Sequence, residues 1–128
     1  MSTSAYALEN MGVLIVEDNS YMQLLLKEIM RSFRIRNFRT ASDGVNVLKT
    51  LSTFHADLFI ADWKMDVLDG LEFVRMVRTG DDSRNPFVPI IMLTGHTEKH
   101  HIEIARDARI TEYLAKPVSA KKLYERIC

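Results

Sequence analysis

Cysteine is almost missing from this chain of 128 residues, and the one present, Cys128, is the last residue. No internal disulfide can form, which fits a reducing compartment. Net charge is missing too, because 17 basic residues face 17 acidic ones. That balance carries no electrostatic signature of nucleic-acid or membrane-surface binding. No apolar run approaches the length that a bilayer requires. The opening residues, MSTSAYALEN, lack both a basic start and an apolar middle, so they do not read as a secretory signal. Residues 1–10 read instead as a short flexible arm. The expected location is the cytoplasm, with neither nucleic acid nor membrane as a partner. What the chain does have is apolar bulk: hydrophobic residues make up 47%, enough to fill one core in a single domain over residues 11–128.

That apolar content comes in short continuous runs: VLIV (13–16), LFIA (58–61), VPIIML (88–93) and YLA (113–115). None alternates with polar residues, which suits strands buried on both faces of a parallel sheet. Pro89 opens its run, where a missing N–H is tolerated. FRTA (38–41) is a weaker strand, and its Arg39 points to a sheet edge. Helical patterns lie between the runs. Ser20 with Gln23 reads as a capping box ahead of an apolar face made by Met22, Leu25, Leu26, Ile29 and Phe33. SDGVNVLKTL starts a second helix with Val47, Leu48 and Leu51 inward. Asp69 with Glu72 caps a third, Thr97 a fourth and Ser119 a fifth, which carries Leu123 and Ile127 inward. The fifth helix ends abruptly at Cys128, as in a chain cut inside or just after it. The order is β-α repeated five times, which predicts a doubly wound, five-stranded parallel α/β sheet of the flavodoxin-like (βα)5 kind.

The residues that close each run share one sheet edge in such a fold: Glu17 and Asp18, then Asp62, Thr94 and Lys116. Ligands of open α/β sheets bind at the carboxyl ends of the strands, where strand order reverses. Three neighbouring carboxylates call for a cation. An oxygen-only set, without Cys or His, favours a hard ion such as Mg²⁺. Lys116 and Thr94 suit a phosphoryl group, and a carboxylate can accept one as an aspartyl phosphate. Of the acids in and after the second of these runs, Asp57 begins it at the far end of the strand, Asp66 lies in the next loop and Asp69 serves a helix cap, so only Asp62 sits where that strand ends.

In this order the segments VLIVEDN, ASDG, DLFIADWKMDVLDGLEFV, VPIIMLTG and YLAKPVS closely resemble the receiver domain of two-component response regulators, above all the small chemotaxis type. The resemblance spans nearly the whole chain after the arm. It implies that Asp62 accepts the phosphoryl group and that Asp18 ligates Mg²⁺ directly. Glu17 would act through a metal-bound water, and the Lys64 backbone carbonyl would add a ligand. Lys116 would pair with the phosphoryl group, while Thr94 and Tyr113 would switch. Pro117 matches a proline that follows a cis peptide bond in this family. The implied donor is a sensor histidine kinase or phosphotransfer protein. The implied output is a downstream protein or attached effector domain, with a homodimer possible on activation, through the face of the fourth helix, fifth strand and fifth helix. Such a domain assists only its own phosphorylation and dephosphorylation and is not otherwise an enzyme.

Three positions depart from the family pattern. Asp66 replaces a proline after Met65, Arg109 replaces the glycine that usually ends the fourth helix, and Lys64 lies two residues past the acceptor. A phosphorylation-independent pseudo-receiver is one alternative. A Mg²⁺-dependent phosphatase with an Asp nucleophile is another, but it calls for an acid at position 64. A flavodoxin-type electron carrier needs a Ser/Thr/Gly phosphate loop where this chain has EDNS. His96, His100 and His101 read as a polar helix start, and His55 as a loop residue.

Overall fold

The fold follows from which apolar residues must leave water, and each short run becomes one strand. The structure is a computed structural model that describes residues 8–62, 75, 77, 78, 88–94, 112–115 and 119–127. Its strands are β1 (Gly12–Val16), β2 (Asn37–Ala41), β3 (Leu58–Asp62), β4 (Ile90–Thr94) and β5 (Glu112–Ala115). All neighbours pair in parallel, in the order β2-β1-β3-β4-β5. β2 is an edge strand, as Arg39 indicates. Pro89 stands just before β4, and its carbonyl accepts from Phe59 N at 3.0 Å.

Alternation along the strands divides the core into two layers. Leu14, Val16, Phe59, Ala61, Ile90 and Met92 face one way, where helix α2 (Gly44–Leu51) adds Val47. Val13, Ile15, Leu58, Ile60, Ile91, Leu93 and Leu114 face the other way. There α1 (Ser20–Ser32) supplies Leu26, Ile29 and Met30, and the C-terminal helix α3 (Ala120–Ile127) supplies Leu123. Helices therefore cover both faces, which is why the strands read as continuous apolar runs. Leu8 is 3% exposed in the second layer, so packed chain begins inside the segment expected as an arm. Two inward assignments also change: Leu25 and Leu48 are exposed, and Met30 takes the buried place on α1.

The start of α1 differs from the expected capping box. Asn19, not Ser20, is the cap: its side chain accepts from Met22 N at 2.9 Å. Gln23 does not reach back to the cap; its amide donates to the backbone carbonyl of Glu17. Asn19→Ala is expected to cost about 1 kcal/mol in urea unfolding, and Ser20→Ala no more than a few tenths. Equal costs would return the cap to Ser20. α2 begins on Asp43, whose side chain accepts from Asn46 N at 2.8 Å. Ser119 does start the last helix, accepting from Lys122 N at 3.2 Å.

Candidate functional site at the strand ends

β1 gives way to the acids where its ladder runs out. Val16 is level with Ala61, so Glu17 follows at the height of Asp62. Glu17 is still held by the sheet, since its N–H donates to Ala41 O at 2.9 Å. The Gln23 amide grips its carbonyl from α1, and its own carboxylate accepts from Asp18 N at 3.1 Å. These bonds fix the loop between β1 and α1 and aim two successive acids at the sheet's carboxyl edge. Asp62 ends β3, the neighbour on the other side of β1 from β2. The chain leaves β1 toward β2 and returns to β3, so the crevice between the ends of β1 and β3 is the switch point of this topology.

One carboxylate oxygen from each of Glu17, Asp18 and Asp62 lies within 4.8 Å of the others. Glu17 is 1% exposed and Asp62 6%, while Asp18 is the most open of the three. Two of the three carboxylates are buried, and a cation among them would offset their mutual repulsion. The donor set suits magnesium. All three donors are carboxylate oxygens, the ligand type that a hard divalent cation takes.

The register places the remaining expected residues in part. Asp62 is level with Leu93, so Thr94, the last residue of β4, stands one step beyond it. Ala115 is level with Thr94 and directly precedes Lys116 in the sequence. Tyr113 lies in β5. The side chains of Thr94 and Tyr113 lie outside the described residues. So do Lys64, Lys116, Pro117, Trp63, Asp66, Arg109, the caps Asp69 and Thr97, and His96, His100 and His101.

Asp57 has a separate task at the opposite edge. Its carboxylate accepts from Gly12 N at 2.8 Å, its own N–H donates to Gly12 O at 2.7 Å, and exposed His55 lies 3.1 Å away. Sequence reasoning did not find the Gln23–Glu17 bond. Its only signal was a glutamine in the first turn after the acids, which equally describes a capping box.

A family model described as the response regulator receiver domain matches residues 13–128. The chain is 32% identical over 117 residues to the Chemotaxis protein CheY of Pseudomonas aeruginosa, covering 91% of this chain and 93% of that one. It is 29% identical over 119 residues to Chemotaxis protein CheY-3 of Vibrio cholerae, covering 93% and 90%. Among solved structures, chemotaxis response regulator CheY4 of Vibrio cholerae superposes with a TM-score of 0.81 at 28% identity, covering 92% of this chain and 97% of the other.

Proposed function

This chain belongs to the response regulator receiver domain family, and on that premise we propose that it is a signalling switch operated by phosphorylation of Asp62. The observation that carries the reading is the convergence of Glu17, Asp18 and Asp62 at the switch point of the sheet. Asp18, Asp62 and the Lys64 carbonyl would hold Mg²⁺, with Glu17 acting through water. The ion supplies charge neutralisation for phosphoryl oxygens.

The donor is the phosphohistidine of a sensor histidine kinase or phosphotransfer protein, or a small acyl phosphate. An Asp62 carboxylate oxygen attacks phosphorus; the P–N or P–O bond to the donor breaks, and the electron pair leaves with it. Lys116 pairs with the equatorial oxygens, where charge builds up in such transfers. The buried strand-end position of Asp62 limits competing water. In the product, Thr94 donates its hydroxyl to the new group and Tyr113 changes rotamer, which alters affinity for a downstream protein or attached effector domain through the face of the fourth helix, fifth strand and fifth helix. Hydrolysis at Asp62 resets the switch. The domain turns over no external substrate, and its expected place is the cytoplasm; among the described residues no helix is long and apolar enough to cross a membrane.

Trp63, the single tryptophan, follows Asp62 in the sequence and serves as a reporter. Its fluorescence is expected to change on titration with Mg²⁺, and again on adding acetyl phosphate or beryllofluoride. The second change is expected to vanish in Asp62→Ala. A wild-type protein with no Asp62-dependent response would be a pseudo-receiver, and turnover of phosphomonoesters would make it a phosphatase.

A further inference from the structure

One concentration of charge on the described surface has no part in the switch. Arg31, Arg34, Arg36 and Arg39 fall within residues 31–39, and no acid lies among them. Three of these, Arg31, Arg34 and Arg36, line an open groove of about 550 Å³ with Glu9, Ile35 and Phe38. The groove lies where α1 ends and β2 begins, at the sheet edge opposite the acids. Arg31 pairs with Glu28 and covers the Phe38 ring, its guanidinium carbon 5.8 Å from the ring centre. Arg34 and Arg36 are exposed, and neither forms an ion pair among the described residues.

The backbone adds a second observation. Arg34 has φ 64°, the only non-glycine residue described with a left-handed conformation. It closes the helix, with Arg34 N donating to Arg31 O and Ile35 N to Met30 O. Glycine or asparagine makes this turn with less strain. An arginine held there carries backbone strain that asparagine would lessen.

We propose that this groove docks an extended acidic segment of a partner protein, independently of the phosphorylation state of Asp62. Unpaired guanidinium groups bind carboxylates in two-pronged fashion. The groove is open to solvent and, at about 550 Å³, larger than a small anion needs. Beside it, β2 pairs only with β1 among the described strands, so its outer edge can lie against extended chain. Two unpaired guanidinium groups are few for nucleic acid, whose binding sums many phosphate contacts.

Fluorescence anisotropy of the full chain with a fluorescein-labelled, glutamate-rich peptide tests this. Binding is expected at low salt, and to fall as sodium chloride screens it. The double variant Arg34→Asn, Arg36→Gln is expected to weaken it at least about tenfold, while Asp62→Asn leaves it unchanged. Asparagine suits the left-handed position, so the melting temperature of the double variant is expected to equal or exceed that of the wild type. No binding by the wild type at low salt, or equal binding by the folded double variant, overturns the proposal. Tighter binding of labelled oligothymidylate, or of inorganic tripolyphosphate, than of the peptide overturns it as well.

Discussion

Asp62→Asn is expected to take up no phosphoryl group from acetyl phosphate and, in the absence of Mg²⁺, to melt at a higher temperature than the wild type. The first result follows from the lost nucleophile. An amide cannot form the acyl phosphate, so intact-mass measurement shows no phosphorylated species. The second follows from crowding. Glu17, Asp18 and Asp62 place oxygens within 4.8 Å of one another, and two of the three residues are buried. At an effective dielectric near 20, two unit charges at that distance repel by about 3 kcal/mol. Asparagine removes both repulsions made by Asp62 and keeps the shape. A net gain of about 1–2 kcal/mol is expected, or about 4–8 °C for a domain of this size. The same reasoning gives the metal dependence. Mg²⁺ should raise the melting temperature of the wild type, because it binds only the folded arrangement, and should raise that of Asp62→Asn much less. A wild type indifferent to Mg²⁺, with a variant no more stable than it, would mean that the three acids do not share a cation.

The residues that define this prediction were legible in the sequence because strand ends are. A run such as VLIV must be buried, so the first charged residue after it marks where the sheet stops. Four such ends in β-α order, carrying five polar residues, then imply a common edge. The same logic placed Asp57 at the opposite edge, where its carboxylate holds Gly12. Hydrogen bonds inside the loops were not legible. Asn19 and Ser20 are both good caps, and they stand next to each other. Only the positioned backbone shows Met22 N on Asn19, which frees Gln23 to hold Glu17. Leu25 and Leu48 sit on the margin of an apolar stripe, where helical period alone does not fix the limit of burial. The arginine groove escaped notice for another reason. Averaging over 17 bases and 17 acids hides a local run of one sign, and the conformation of Arg34 appears only in three dimensions.

The largest loss of stability is expected from Gly12→Ala. In most strands this exchange is neutral or favourable, because alanine restricts the unfolded chain and prefers extended structure. Here its sign is reversed by space rather than by backbone angle, since no described glycine has positive φ. A methyl group on Gly12 would lie 2.4 Å from the carbonyl oxygen of His55, with Asn37 Nδ2 and Phe54 Cζ at 3.4 Å. The first contact is backbone and cannot be relieved by a rotamer change. Moving His55 also moves Asp57, which exchanges two hydrogen bonds with Gly12, at 2.8 and 2.7 Å. Overpacking of a tight site costs about 1–3 kcal/mol, and each weakened hydrogen bond about 1 kcal/mol. The sum is about 3–5 kcal/mol, or a fall in melting temperature of about 12–20 °C. The acids lie beyond the other end of β1, about 16 Å away at 3.3 Å per residue. Mg²⁺ affinity measured well below the melting temperature should therefore stay at the wild-type value. A variant as stable as the wild type would show that the close approach of Gly12 to His55 relaxes without breaking the Gly12–Asp57 pair. Lost Mg²⁺ binding in a folded variant would show that strain at the start of β1 is transmitted along the strand to the acidic edge.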